Sequence, residues 1–265
     1  MRKQKSIYSK LIIMLSLFLL ALPITSFAAK PEFEINSKQE LKEELKSLHK
    51  AGNKEGIKNL KEQTDPSVME AYLVDLEKEI STVIEKNKKE MKWSPADNEK
   101  VQETVIPLSD GGQVIITEEV GLVESQPETV QGDSGEISTS ELYYYWNGAS
   151  TYYKVTKNVV HYMYPDTKLV LRTFFKVNTS NITITDADVA GTQAYYPNVA
   201  TGSASITDKY ASELGHDANA KGTYNYSINA FGADIYTTTK SIVSSVKWYK
   251  TRSGGKDVNL TYSFY

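Results

Sequence analysis

Residues 223–230 read Thr-Tyr-Asn-Tyr-Ser-Ile-Asn-Ala. Polar and apolar side chains alternate there without a break. A period of two places one set on each face of an extended chain, so the stretch predicts a strand with one buried face. The C-terminus repeats the pattern. Val258, Leu260, Tyr262 and Phe264 alternate with Asn259, Thr261 and Ser263. Leu169, Leu171, Thr173, Phe175 and Val177 mark another strand. ELYYYW and ASTYYKV flank Asn147-Gly148, a dipeptide that favours a two-residue hairpin turn. Pro165-Asp166, Gly191, Gly202 and Ser253-Gly254-Gly255 punctuate the remainder. No helical period interrupts the strands, so parallel crossovers are not expected. Residues 142–265 are therefore expected to form a Tyr/Thr/Ser-rich antiparallel β-sandwich domain of seven to nine strands.

Upstream the texture changes. Residues 29–92 are expected to form a charged helical region, either a hairpin or a three-helix segment. Ser37-Lys38-Gln39-Glu40 is a capping-box pattern, in which two side chains satisfy free backbone N–H groups. Leu41, Leu45 and Leu48 follow at helical spacing, and Gly52 is a suitable stop. Asn53 caps a short second helix carrying Ile57 and Leu60. Asp65-Pro66 opens a third, with Pro at the first helical position. Met69, Leu73, Leu76, Ile80 and Val83 then form an a/d seam. Such a seam either closes a small helical unit or docks onto the β region or another chain.

Residues 93–141 separate the two. VQETVIPL and QVIITEEV around Ser109-Asp110-Gly111-Gly112 predict a β-hairpin. From Glu124 to Ser140 the chain is rich in Ser, Thr, Gly, Pro and acid, which predicts an exposed linker where limited proteolysis should cut first. The fold class expected for the whole is α+β: helices, then a hairpin and an acidic linker, then the sandwich.

The first 28 residues stand apart. Arg2, Lys3, Lys5 and Lys10 precede a twelve-residue apolar run, Leu11 to Leu22, and Ser26-Phe27-Ala28 supplies small residues at a cleavage site. A secretory signal peptide cleaved after Ala28 is expected, and no membrane span, since twelve residues are too few to cross a bilayer. The chain carries 30 basic and 33 acidic residues. Losing four basic ones leaves 26 against 33, and an acidic protein has no general attraction to nucleic acid. Cys is absent, which excludes disulfides and thiolate chemistry.

With its leader, charged segment, Tyr/Thr/Ser-rich sandwich and GTYNYSINAFG strand, the chain resembles small exported proteins of Gram-positive bacteria. The resemblance implies secretion and a β-sandwich. It implies no functional residue.

Chemistry-bearing motifs are few. Gly132-Asp133-Ser134-Gly135 resembles the serine loop of trypsin-like proteases. Those enzymes place a His base and its Asp before the serine, and here only His49 precedes Ser134, in a Lys/Glu-rich helix. The tetrapeptide is read as a turn, and no catalytic residue is expected. His161 and His216 lack partners at metal-ligand spacing. Asp186-Ala187-Asp188 and the group Asp208, Glu213 and Asp217 are read as turn formers rather than Ca²⁺ ligands. No cofactor and no metal site are expected. What remains is a tyrosine cluster. Tyr144, Trp146, Tyr152 and Tyr153, around Asn147-Gly148, are the expected aromatic binding face, because exposed Tyr and Trp suit sugars and protein partners. The function expected is a secreted, non-enzymatic binding protein acting outside the cell or in the cell wall, with a cell-wall polymer, carbohydrate or protein as partner. The alternatives are a secreted toxin or antimicrobial protein whose helical region is a pro-segment, motivated by IYTTTKSIVSSV at 235–246, and, last, a hydrolase.

Overall fold

The strand expected at 223–230 is the C-terminal part of a longer one, paired on both sides within a five-stranded sheet. The computed structural model describes residues 34–87, 99–123, 143–161, 164–194, 198–230 and 233–265, with side chains at 61, 99, 143–144, 161, 164–165, 229–230 and 233–235 left aside. The expected signal peptide, the linker and Gly132-Asp133-Ser134-Gly135 lie outside the described residues.

Among the described residues three helices come first: α1 (Lys38–Lys50), α2 (Lys54–Gln63) and α3 (Pro66–Lys86). Their caps follow the sequence. Ser37 accepts from the Glu40 N–H, Asn53 from Gly56 and Asp65 from Ser67. Glu40 reaches back to the N–H of Asn36 at 3.3 Å, one residue before the capping-box position. Gly52 ends α1 with φ +65°, a left-handed geometry that glycine adopts without a Cβ penalty. Ile35 and Thr64 form a parallel bridge that ties the start of the chain to the entry of α3.

Twelve strands follow: β1 (Glu99–Pro107), β2 (Gln113–Leu122), β3 (Tyr143–Trp146), β4 (Ser150–His161), β5 (Tyr164–Val177), β6 (Ile182–Asp188), β7 (Gln193–Ala194), β8 (Asn198–Asp208), β9 (Tyr210–Ala211), β10 (Asp217–Ala230), β11 (Ala233–Arg252) and β12 (Gly255–Phe264). One sheet runs β1-β2-β4-β5-β6-β9, with β7 beside β5. The other runs β3-β12-β11-β10-β8. Every named strand pair is antiparallel. The fold is α+β with a sandwich-like β region.

The two sheets pack face to face, as an amphipathic sheet must to bury its apolar side. Leu169, Leu171, Phe175 and Val177 of β5 and Tyr224, Ile242, Val246 and Val258 of the opposite sheet are all essentially inaccessible. Two polar contacts cross the gap. Thr173 Oγ1 and Ser244 Oγ are 2.5 Å apart. Tyr224 donates its hydroxyl to the Val170 carbonyl at 2.5 Å, and its ring fills the space a Cβ on Gly222 would occupy. A glycine in that strand is thus a close-packing requirement.

Two expectations change. Tyr143–Trp146 and Ser150–His161 do not form a hairpin. β3 pairs with β12 in one sheet, and β4 pairs with β2 and β5 in the other. The Asn147-Gly148 turn is a corner between sheets. Its N–H groups are spent on other strands, Asn147 on the Gly254 carbonyl at 2.8 Å and Gly148 on that of Val177 at 2.6 Å. A local turn preference loses here to long-range ladder bonds. Secondly, the β1–β2 hairpin forms as expected around Asp110-Gly111, but it belongs to the sandwich: β2 lies against β4 over ten residue pairs. Residues 34–265 cluster as one compact unit.

The helical seam docks on the β region. Met69, Tyr72, Leu73, Leu76, Ile80 and Ile84 of α3 are buried, and burying each large side chain stabilises by about 1.5–3 kcal/mol. Polar contacts fix the placement. Tyr72 donates to the Asp110 carboxylate, and Glu79 accepts from the Ser109 N–H at 2.6 Å and its hydroxyl at 2.7 Å. The Lys240 ammonium meets Glu77 at 2.6 Å. Ser109 and Asp110 belong to one sheet and Lys240 to the other. α3 therefore lies across the open end of the sandwich.

Candidate functional site

Where α3 crosses that end, it leaves a groove of about 430 Å³ between itself and β4, β11 and β12. The charged residues that line it come from three of these elements for physical reasons. On α3, Glu77 sits four residues after Leu73, at the flank of the apolar stripe. On β4, Tyr153, Val155 and Lys157 share the core-facing parity. On β11, Lys240, Ile242, Ser244 and Val246 do the same. Two lysines thus occupy positions where strand geometry demands buried side chains.

They are not equivalent. Lys240 is 8% exposed and satisfied, with its ammonium bonded to Glu77 and lying 3.9 Å from the centroid of the Tyr226 ring. Lys157 is 5% exposed, and its ammonium makes no hydrogen bond or ion pair among the described residues. It rests 5.6 Å from the Phe264 ring centroid. Burial pushes the Lys157 pKa down from 10.5 to about 8. The Glu77 carboxylate opposes the shift and the Lys240 ammonium adds to it. Lys78 joins them on the rim, so three ammonium groups face one carboxylate in a chain whose net charge is −3. Burial and, secondarily, Glu77 raise the pKa of the Tyr236 phenol, which lines the same groove.

A second buried ionisable group lies deeper. Glu118 of β2 shares its core-facing row with Val114, Ile116 and Val120. It accepts from the Tyr153 hydroxyl at 2.6 Å. Burial pushes its pKa up from 4.5 to about 7, against the pull of that hydrogen bond.

The residues of the expected aromatic face have different surroundings. Tyr153 is fully buried and is part of the core, because its strand parity points it between the sheets. Trp146 is half-buried against the core. Tyr152 is half-buried too, donating to Glu119 at 2.8 Å with its ring tilted against Phe174. Tyr144 pairs by its backbone with Asp257, and its side chain is outside the described residues. Trp146 and Tyr152 also belong to different sheets.

The acidic candidates resolve into turns and pairs. Asp188 bonds Arg172 at 2.8 Å and the Ala190 N–H at 3.0 Å, and Asp186 accepts from the Ala187 N–H. Asp208 accepts from the Tyr210 N–H, and Glu213 meets the exposed His216 at 2.8 Å. Among the described residues no three His, Asp or Glu side chains come together as a metal site. No described helix is long and apolar enough to cross a membrane.

Comparisons with known proteins add little. No protein-family model matches the chain, and no curated protein does. Among solved structures, the hypothetical protein lmo2686 from Listeria monocytogenes EGD-e matches at 15% identity with a TM-score of 0.26, over 62% of this chain and 94% of that one.

Proposed function

We propose that this is an exported, non-enzymatic binding protein, acting outside the cell or in the cell wall, and that its ligand face is the groove under α3. The leader-like Arg2 to Ala28 supports export. One observation carries the choice of face: a buried lysine whose ammonium makes no hydrogen bond or ion pair among the described residues opens into a groove, while Tyr153 is core and Trp146 and Tyr152 are half-buried. A buried cation costs stability unless it is paired. A fold that keeps one beside a cleft has a use for it there. The groove is wide and polar-rimmed and carries no nucleophile–base pair at hydrogen-bonding distance, which suits holding a ligand rather than converting it.

The test is retention of the secreted chain on cell-wall and polysaccharide preparations. Lys157→Met and Lys240→Met are expected to lower retention, and Trp146→Ala to leave it unchanged. Loss in Trp146→Ala alone, with the lysine variants retained in full, would return the binding face to the aromatic corner.

A further inference from the structure

The groove also discriminates among ligands by chemistry. It is lined by Lys157, whose ammonium lies 5.6 Å from the Phe264 ring centroid, by the aromatic residues Phe264 and Tyr236, and by Lys78, Ser81 and Thr238. Glu77 offsets only part of the Lys157 charge from a distance, and its carboxylate is bonded to Lys240 at 2.6 Å. An incoming anion therefore meets an unspent cation with most of its water already removed. Charge-assisted hydrogen bonds made in such a setting are the strong ones. The aromatic walls suit an apolar or ring-bearing body attached to that anion.

We propose that Lys157 anchors a site for an organic oxyanion, a carboxylate or phosphate ester borne on a compact apolar body, lying between Phe264 and Tyr236 with its charged oxygens on the Lys157 ammonium. The proposal rests on the groove being the binding face, and it adds the class of ligand. Lys240 acts as a positioning residue. It fixes the Glu77 carboxylate of α3 by the 2.6 Å ion pair.

Phenyl phosphate and benzoate are the probes, with benzamide as the uncharged control. Calorimetric titration of the full secreted chain is expected to show that one anion or both bind and benzamide does not. The stronger of the two identifies the oxyanion. Lys157→Met should weaken that binding at least tenfold, and Lys157→Arg, which keeps the charge, should restore most of it. A second measurement needs no variant. Competitive acetylation followed by mass spectrometry should show Lys157 protected several-fold by the bound anion and exposed Lys250 unprotected. Absence of binding by both anions overturns the proposal, as does equal binding in Lys157→Met or unprotected Lys157 at saturation. If both anions fail while the lysine variants still lose cell-wall retention, the ligand class is wrong and the binding face stands.

Discussion

Two buried lysines mark opposite ends of the sandwich. Lys256, at the end where β11 turns into β12, is 1% exposed. Its ammonium donates to the Asn178 carbonyl at 2.6 Å and the Thr179 carbonyl at 2.7 Å, and it lies 4.2 Å from the Trp248 ring centroid. Lys157, at the helix-covered end, has comparable burial and one distant ring. The first is how a fold accommodates a cation it needs for structure: fixed acceptors replace most of the lost water, although burial still lowers the Lys256 pKa. In the second, no acceptor replaces the lost water, and Glu77 opposes the desolvation only in part. Burial alone does not separate a structural charge from a functional one. The count of acceptors does.

The contrast gives opposite signs for one substitution. Lys256→Met leaves two carbonyls without their donor and should cost about 3 kcal/mol, read as a fall in the urea midpoint at constant slope. Lys157→Met removes a charge compensated only in part and should stabilise by about 2 kcal/mol at pH 7. Groups facing Lys157 are Glu77 and Lys78 from α3, Lys240 and Tyr236 from β11, and Tyr265 beyond β12. Below pH 8 Lys157 is charged in both folded and unfolded chains, and the folded state bears the whole penalty. Between about 8 and 10.5 the folded chain releases its proton first, so wild-type stability rises with pH and the gap to Lys157→Met closes. A destabilised Lys157→Met, or a gap that persists at pH 10.5, would make the two lysines alike.

Much of this was legible beforehand. Caps at Ser37, Asn53 and Asp65, the α3 seam and the alternating strands are local signals, and local chemistry decides them. Asn147-Gly148 was misleading because its turn preference is local, whereas the partners of β3 and β4 are distant strands. Tyr72 was missed because its place in the seam is secured by Asp110, across a long gap in sequence. The groove had a faint signal. Lys157 follows Tyr153 and Val155 at the parity of a buried row, and Glu118 interrupts Val114, Ile116 and Val120 in the same manner. A charge at core parity is visible in a sequence once strand and face are known. Whether it finds a partner is not, because that depends on which element arrives opposite.

Glu118 sharpens the comparison with the opposite charge. It faces Tyr153 of β4, and its carboxylate helps raise the Tyr262 pKa, secondary to burial. A carboxyl whose folded pKa lies above its unfolded value is favoured by the fold when protonated. Its contribution is fully present below about 4.5 and is lost as pH rises through about 7. Glu118→Gln keeps an acceptor for Tyr153 and carries no charge. It should match wild type at pH 4.5 and exceed it by about 1–2 kcal/mol at pH 8, read from paired denaturation curves. Equal curves at pH 8 would mean that the Tyr153 bond compensates Glu118 as the two carbonyls compensate Lys256.

The smallest effect belongs to the aromatic corner, and it separates packing from binding there. Tyr152 donates its hydroxyl to Glu119, which also pairs with Lys154 at 2.5 Å. Those partners keep 19% and 29% of their side-chain surface exposed, so water can still reach the carboxylate in place of the phenol. The Tyr152 ring meanwhile fills the space over Gly121, where an added Cβ would lie 2.7 Å from it. Tyr152→Phe keeps the ring and removes only the hydroxyl. It should cost less than about 1 kcal/mol and leave retention on cell-wall preparations unchanged. Tyr152→Ala empties the space over Gly121 and should cost more, still without affecting retention. A loss of retention in Tyr152→Phe at unchanged stability would assign the phenol to a ligand and give this end of the sandwich a second binding surface.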